Sequence, residues 1–235
     1  MSFDDIDIEV TRKNIKNLYL RVSSPDGLVR ISAPRRMRLD NIHRFVASRR
    51  DWIKKQQDKV RLQARETTRA YVNDEIHYFS GQPYSLKLIE HRARPRVEVS
   101  EQTLSLYIRP DTATEKRCAI LDAWYRQYLT KIISVIISRY ESDMGVKVSV
   151  FGVRKMKTRW GSCNTRVRRI WLNLELAKRS AQCLEYVVVH EMVHLLEPSH
   201  NKRFYALMDR FMPDWKVYKA ELKMPNKFEA GIALI

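Results

Sequence analysis

Apolar and polar positions alternate at the start of the chain and then change period. Ile6-Asp7-Ile8-Glu9-Val10 alternates apolar and acidic residues, which predicts a half-buried strand. Residues 18–22 and 28–33 read as two more strands around the turn Pro25-Asp26-Gly27, and Pro34 closes that hairpin. From Asp40 the period becomes helical, with Ile42, Phe45, Val46, Trp52, Ile53 and Val60 on one face of a single helix. Three further short strands are predicted at 84–89, 96–99 and 104–108, separated by polar segments around Gly81 and Pro95. Residues 1–110 therefore read as a small, mostly β module: a meander with one helix and no internal repeat.

A second, more helical part follows over residues 111–235, so the expected fold class is α+β. Thr112 and Glu115 have capping-box spacing and mark the start of a long helix. Its apolar face is expected to hold Ile120, Leu121, Trp124, Tyr128, Ile132, Val135 and Ile136, and Gly145 is a good C-terminal stop. Residues 146–151 read as a strand and 170–174 as its returning hairpin partner. Ser180 then caps a buried helix carrying Leu184, Val187, Val188, Met192 and Leu195.

Composition narrows the class. Of 235 residues, 44% are hydrophobic and 30% charged, which fits a folded globular protein. The longest apolar run, 132–137, is far below the roughly 20 residues a membrane span needs, so no membrane partner is expected. The N-terminus is acidic and alternating, unlike a signal peptide, and points to the cytoplasm. Cys118, Cys163 and Cys183 are too scattered for a disulfide framework or a metal knuckle. The net charge of +17 favours contact with DNA, nucleotides or another polyanion. Two features could carry it. One is the helix face with Arg44, Arg50, Lys54, Lys55 and Arg61. The other is residues 151–169, with seven basic residues and no acidic one.

The chemistry concentrates in HEMVHLLEPSH, residues 190–200. His190 and His194 are four apart on a predicted helix and project from one face, where they can bind one zinc ion. In such HExxH helices the glutamate, here Glu191, acts as general base on a zinc-activated water. The third ligand is open: His200 is preferred on spacing, with Glu221 as the rival. Pro198 should stop the helix by about Leu196, and Ser199 would cap a new helix with His200 in its first turn. Tyr205, Tyr218, Asn173 and Arg159 are candidates to stabilise an oxyanion.

Three segments together carry a family resemblance: TRWGSC (158–163), IWLNLELA (170–177) and YVVVHEMVHLLEPSHNKRFYALM (186–208). They resemble the YgjP-like zinc metallopeptidase-domain family, related to the SprT and WLM zincins. The resemblance implies a zincin-like catalytic domain with one catalytic zinc on His190, His194 and His200, and Glu191 as base. It also implies that residues 159–163 lie near the cleft. SprT and WLM relatives are associated with cleaving DNA-bound proteins, which suits the charge.

Three functions compete. The leading one is a zinc-dependent metallopeptidase acting on proteins or peptides. The second is a nucleotide phosphohydrolase, with phosphates held by Arg159, Arg166 and Arg169. The third is a nucleic-acid-binding module with a non-catalytic zinc. Trp160 could stack on a ligand, and Asn173 is a further substrate-binding candidate.

Overall fold

The computed structural model describes residues 2–3, 6–23, 26–67 and 69–224. Pro25 of the expected first turn, and the side chain of Arg61, lie outside what is described. Contacts divide the chain into two compact units, Met1–Ala70 and Tyr71–Ile235, rather than at residue 110. The reason is burial. Leu86, Leu104, Leu106 and Ile108 of the second set of strands share one core with the helices that follow.

In the first unit, strands β1 (Ser2–Phe3), β2 (Ile6–Lys13), β3 (Tyr19–Val22) and β4 (Val29–Pro34) form a sheet in the order β1-β2-β4-β3. The β3–β4 hairpin is antiparallel as expected, but β4 also runs parallel to β2, so the sheet is not a meander. Val29, Ile31 and Ala33 of β4 are fully buried, and the strand that buries most takes the central position. The single expected helix is two, α1 (Leu39–Ser48) and α2 (Arg50–Thr67), broken at Arg49, whose φ of −116° leaves the helical region. Ile42, Val46 and Ile53 fill the core. Trp52, one residue and about 100° from Ile53, turns to solvent instead.

The second unit opens with β5 (Ile76–Phe79), β6 (Gln82–Glu90), β7 (Arg96–Ser100) and β8 (Thr103–Ile108), ordered β5-β6-β8-β7. This repeats the strand order of the first sheet, with its parallel pair (β6 and β8) and its hairpin (β7–β8). The topology is duplicated although the sequence shows no repeat. Helix α3 (Thr114–Met144) follows, and its cap differs from expectation. Ala113 is the N-cap, and the Thr112 hydroxyl donates to the Arg109 carbonyl rather than capping the helix. Gly145 ends the helix in the left-handed conformation, at φ 65°. The buried stripe is Leu121, Tyr125, Leu129, Ile133 and Ile137; of the expected face Leu121 lies in it, Ile120, Trp124, Tyr128, Ile132 and Ile136 are partly buried beside it, and Val135 is 69% exposed.

Next comes a three-stranded sheet of β9 (Val150–Arg154), β10 (Gly161–Asn164) and β11 (Arg169–Asn173), in the order β10-β11-β9. The hairpin is β10–β11, and β9 is parallel to β11, not its hairpin partner. Strand β10 has no alternation of apolar residues, which is why pattern alone passes over it. A 3-10 helix (Leu174–Lys178) leads to α4 (Ala181–Val193), α5 (Lys202–Phe211) and α6 (Trp215–Glu221). Helix α4 is buried on nearly every side, and Ser180 caps it by accepting from the Cys183 amide at 3.2 Å. The tight turn at Ser80-Gly81, both at positive φ, packs against Ser180, so the second sheet supports the start of α4. Among the described residues no helix is long and apolar enough to cross a membrane.

Candidate active site

Helix α4 carries His190 and Glu191 in its last turn and ends at His194. The chain then turns at Leu195-Leu196 and reverses at Pro198. The Glu197 carboxylate accepts from the Ser199 amide at 3.2 Å, which stabilises that reversal. Asn201, not Ser199, caps α5 by accepting from the Phe204 amide at 3.0 Å, so His200 precedes the helix rather than lying in its first turn. From there His200 reaches back until its Nε2 is 3.0 Å from His190 Nε2. The ligand atoms of His190, His194 and His200 all lie within 4.8 Å of one another. Glu221 is elsewhere: it faces Cys183, seven residues before His190 and about 10 Å along α4.

This donor set fits a divalent metal. Imidazoles holding zinc tetrahedrally at about 2.0–2.1 Å place their nitrogens about 3.3 Å apart, close to the 3.0 Å between the Nε2 atoms of His190 and His200. The Glu197 carbonyl, 3.2 Å from His194 Nδ1, can only accept, so Nδ1 carries the hydrogen and Nε2 is left free to bind a metal. Burial, then the neighbouring His194, His200 and Lys219, push His190 down to about 3. Burial likewise lowers His194. These imidazoles are therefore neutral at physiological pH, the form that binds metal. The ring of Phe204, fully buried, has its centroid 4.9, 4.7 and 4.7 Å from those of His190, His194 and His200 and floors the cluster.

Glu191 is 6% exposed, and burial raises its carboxyl to about 8, opposed by the charge of Arg159. A side chain this apolar in its surroundings holds a proton near neutrality, as a general acid–base group requires. Strand β10 fixes its place. A Cβ added at Gly161 would stand 2.7 Å from Glu191 Oε1 and 2.8 Å from Cγ, so only glycine lets the strand pass. Cys163 on the same strand is pushed up to about 11 by burial and by Glu191, and stays a protonated thiol.

The other sequence candidates separate. Arg159 faces Glu191 electrostatically. Asn173 is fully engaged within the protein. Its side chain donates to the Met156 and Arg159 carbonyls and accepts from the Met156 and Glu175 amides. It clamps the 156–159 loop rather than facing a substrate. Trp160 packs on the core under the guanidinium of Arg179, 5.2 Å from its ring. Arg166 and Arg169 belong to the tip of the β10–β11 hairpin; Arg169 pairs with Asn164, three residues and about 10 Å along β10 from Gly161. The structure therefore does not bring Arg159, Arg166 and Arg169 together. Tyr205 stacks on His200, at 24° and 6.5 Å, whereas the Tyr218 carbonyl accepts from Cys183 Sγ.

Sequence reasoning missed Gly161, Tyr186, Trp215 and Lys219. Trp215 lies nearly parallel between Tyr186 and Tyr205, and the Lys219 ammonium is 5.1 Å from the Trp215 ring. Burial and the Glu191 charge raise Tyr186 to about 12, so it remains a hydrogen-bond donor. Tyr186 was accessible to the sequence, since it lies four residues before His190 on the same helix face.

The shifted groups set the pH dependence of the metal-free protein. The folded Glu191 carboxyl, near 8, lies above its ordinary 4.5, so its contribution to stability is lost as pH rises from 4.5 through 8. His190, near 3, lies below its ordinary 6.5, so its contribution is lost as pH falls from 6.5 through 3. Between 4.5 and 6.5 the two slopes oppose. Chelator-treated protein should lose on the order of 2 kcal/mol between pH 6.5 and 8, and Glu191→Gln should flatten that limb. Urea unfolding across this range reads the difference directly.

No curated protein matches the chain. Among solved structures it is similar to the metallopeptidase zymogen abylysin of Pyrococcus abyssi, at 16% identity over 38% of this chain and 90% of that one, TM-score 0.36. The metallopeptidase zymogen jannalysin of Methanocaldococcus jannaschii matches at 17% identity over 38% and 92%, TM-score 0.34. The family model for the YgjP-like metallopeptidase domain matches residues 16–224, nearly the whole chain, and the protein belongs to that family.

Proposed function

We propose that the protein is a zinc-dependent peptidase in which His190, His194 and His200 hold one zinc ion and Glu191 is the general base. The observation that carries this is the convergence of three imidazoles beside a buried, proton-holding carboxyl, in a chain of a metallopeptidase family. When bound, the zinc supplies Lewis acidity toward a peptide carbonyl and toward water. Glu191 takes a proton from the attacking water and delivers it to the leaving amine. The Arg159 charge acts to lower its carboxyl, as a bound metal would, which keeps it ionised and so able to accept the proton of the attacking water. The edge of β10 away from β11 has no strand partner among the described residues, so an extended peptide can pair there, with Gly161 bringing it against Glu191. A nucleotide phosphohydrolase would need converging arginines, and Arg166 and Arg169 stand apart at the hairpin tip.

The test is metal content and cleavage together. Purified protein should hold one zinc per chain, and a chelator should stop its cleavage of casein while added zinc restores it. His200→Ala should lose most of its zinc. Unchanged zinc content in that variant would remove His200 from the ligand set. Casein left intact by the zinc-loaded protein, with phosphate released from nucleotides instead, would overturn the peptidase reading.

A further inference from the structure

Arg154, Lys155, Met156, Thr158, Arg159 and Ser162 line a cavity of about 440 Å³. Two of its residues tie it to Glu191: Ser162 follows Gly161, whose backbone passes against that side chain, and the Arg159 charge acts on the Glu191 carboxyl. Its loop is held in place by Asn173, which bonds Met156 through both amide and carbonyl and also binds the Arg159 carbonyl. The three cations are not equally available. Lys155 is paired with Asp122 at 2.6 Å, and the Arg154 guanidinium lies over the Trp171 ring at 4.9 Å. Arg159 is exposed and, among the described residues, has no ion pair. The Thr158 and Ser162 side chains likewise have no hydrogen-bond partner among the described residues.

We propose that this cavity is a substrate subsite for a single carboxylate, the side chain of an aspartate or glutamate close to the cleaved bond, gripped by Arg159 with the Thr158 and Ser162 hydroxyls beside it. The proposal rests on the peptidase reading above and adds a preference for acidic sequences. One free guanidinium matches one carboxylate, through two parallel N–H···O bonds. A polyphosphate would have to draw Lys155 from Asp122. No aromatic ring lines the cavity, so a nucleotide base would find nothing there to stack on.

Matched quenched peptides with Glu, Gln or phosphoserine at each position within three of the cleaved bond test this on the zinc-loaded full chain. At one position the Glu peptide should exceed its Gln counterpart about tenfold in kcat/KM, a size set by an open, partly solvated pair. Arg159→Met should bring that ratio to about one, and Arg159→Lys should keep part of it. Removing Arg159 also acts on Glu191, but that effect slows both peptides alike, so the ratio isolates the subsite. No position favouring Glu, or a preference that survives Arg159→Met, overturns the proposal. A phosphoserine peptide strongly preferred over Glu also overturns it, in favour of a phosphate site. If no peptide is cleaved, the peptidase reading fails separately. The cavity is then read by calorimetric binding of the same peptides to Glu191→Gln protein. Tighter binding of Glu than Gln, abolished by adding Arg159→Met, supports the subsite, and equal binding overturns it.

Discussion

Glu191→Gln is expected to lower peptide hydrolysis about 10³-fold while leaving zinc content and fold intact. The amide keeps the volume and shape of the carboxyl, so the close passage of Gly161 over this side chain is undisturbed. What it removes is the atom that accepts a proton from water and returns it to the leaving amine. The site is 6% exposed, so bulk water is poorly placed to take over that transfer. Because the wild-type carboxyl is held up near 8 by burial, the neutral amide also suits its surroundings, and the variant should fold at least as well. Steady-state cleavage of a fluorogenic peptide, beside metal analysis of the same sample, separates the roles. Activity within tenfold of wild type would remove Glu191 as base. Loss of the zinc together with activity would make it a ligand instead.

Truncating Phe204 to alanine should cost about 3–5 kcal/mol of stability and weaken zinc binding at least about tenfold. The ring is fully buried and its centroid lies within 4.9 Å of all three imidazole centroids, so it is both core and floor of the histidine cluster. Its removal leaves a void on which His190, His194 and His200 can tilt, and their nitrogens lose the shared focus that a metal needs. Phe204→Leu refills much of the volume and should recover most of the stability but less of the affinity, since a branched chain does not present one flat surface to three rings. Denaturant unfolding of the chelated protein and zinc competition with a colorimetric chelator read the two effects. A loss below 1 kcal/mol with unchanged zinc affinity would show that the histidines are held by the backbone alone.

Some of this was legible in residue order because it depends on local geometry. His190 and His194 share a helix face by the helical repeat, Ser180 caps that helix, and Gly145 ends the long one; each needs only neighbours within a turn. The apolar alternation of Ile6 and Ile8 likewise marks a strand face before any partner is known. Pattern failed where the decision belonged to a partner. Residues around Trp52 and Val135 are apolar enough for a core, yet the turn at Arg49 and the packing of α3 chose other faces. Strand β10 carries Gly, Ser, Cys and Asn without a period, and it is a strand because β11 pairs with it.

Residue order alone set out the candidate cluster: two histidines one turn apart, a carboxylate beside them, and a third histidine after a proline. Those relations span eleven residues, and helix geometry sets them directly. Tertiary packing settled the surroundings of that cluster. It brought His200, not Glu221, to His190 and His194, bared the Gly161 backbone to Glu191, turned Asn173 inward as a clamp, and parted Arg159 from Arg166 and Arg169. These outcomes depend on strand pairing and on which groups are desolvated together, and both arise only when segments distant in sequence pack against one another.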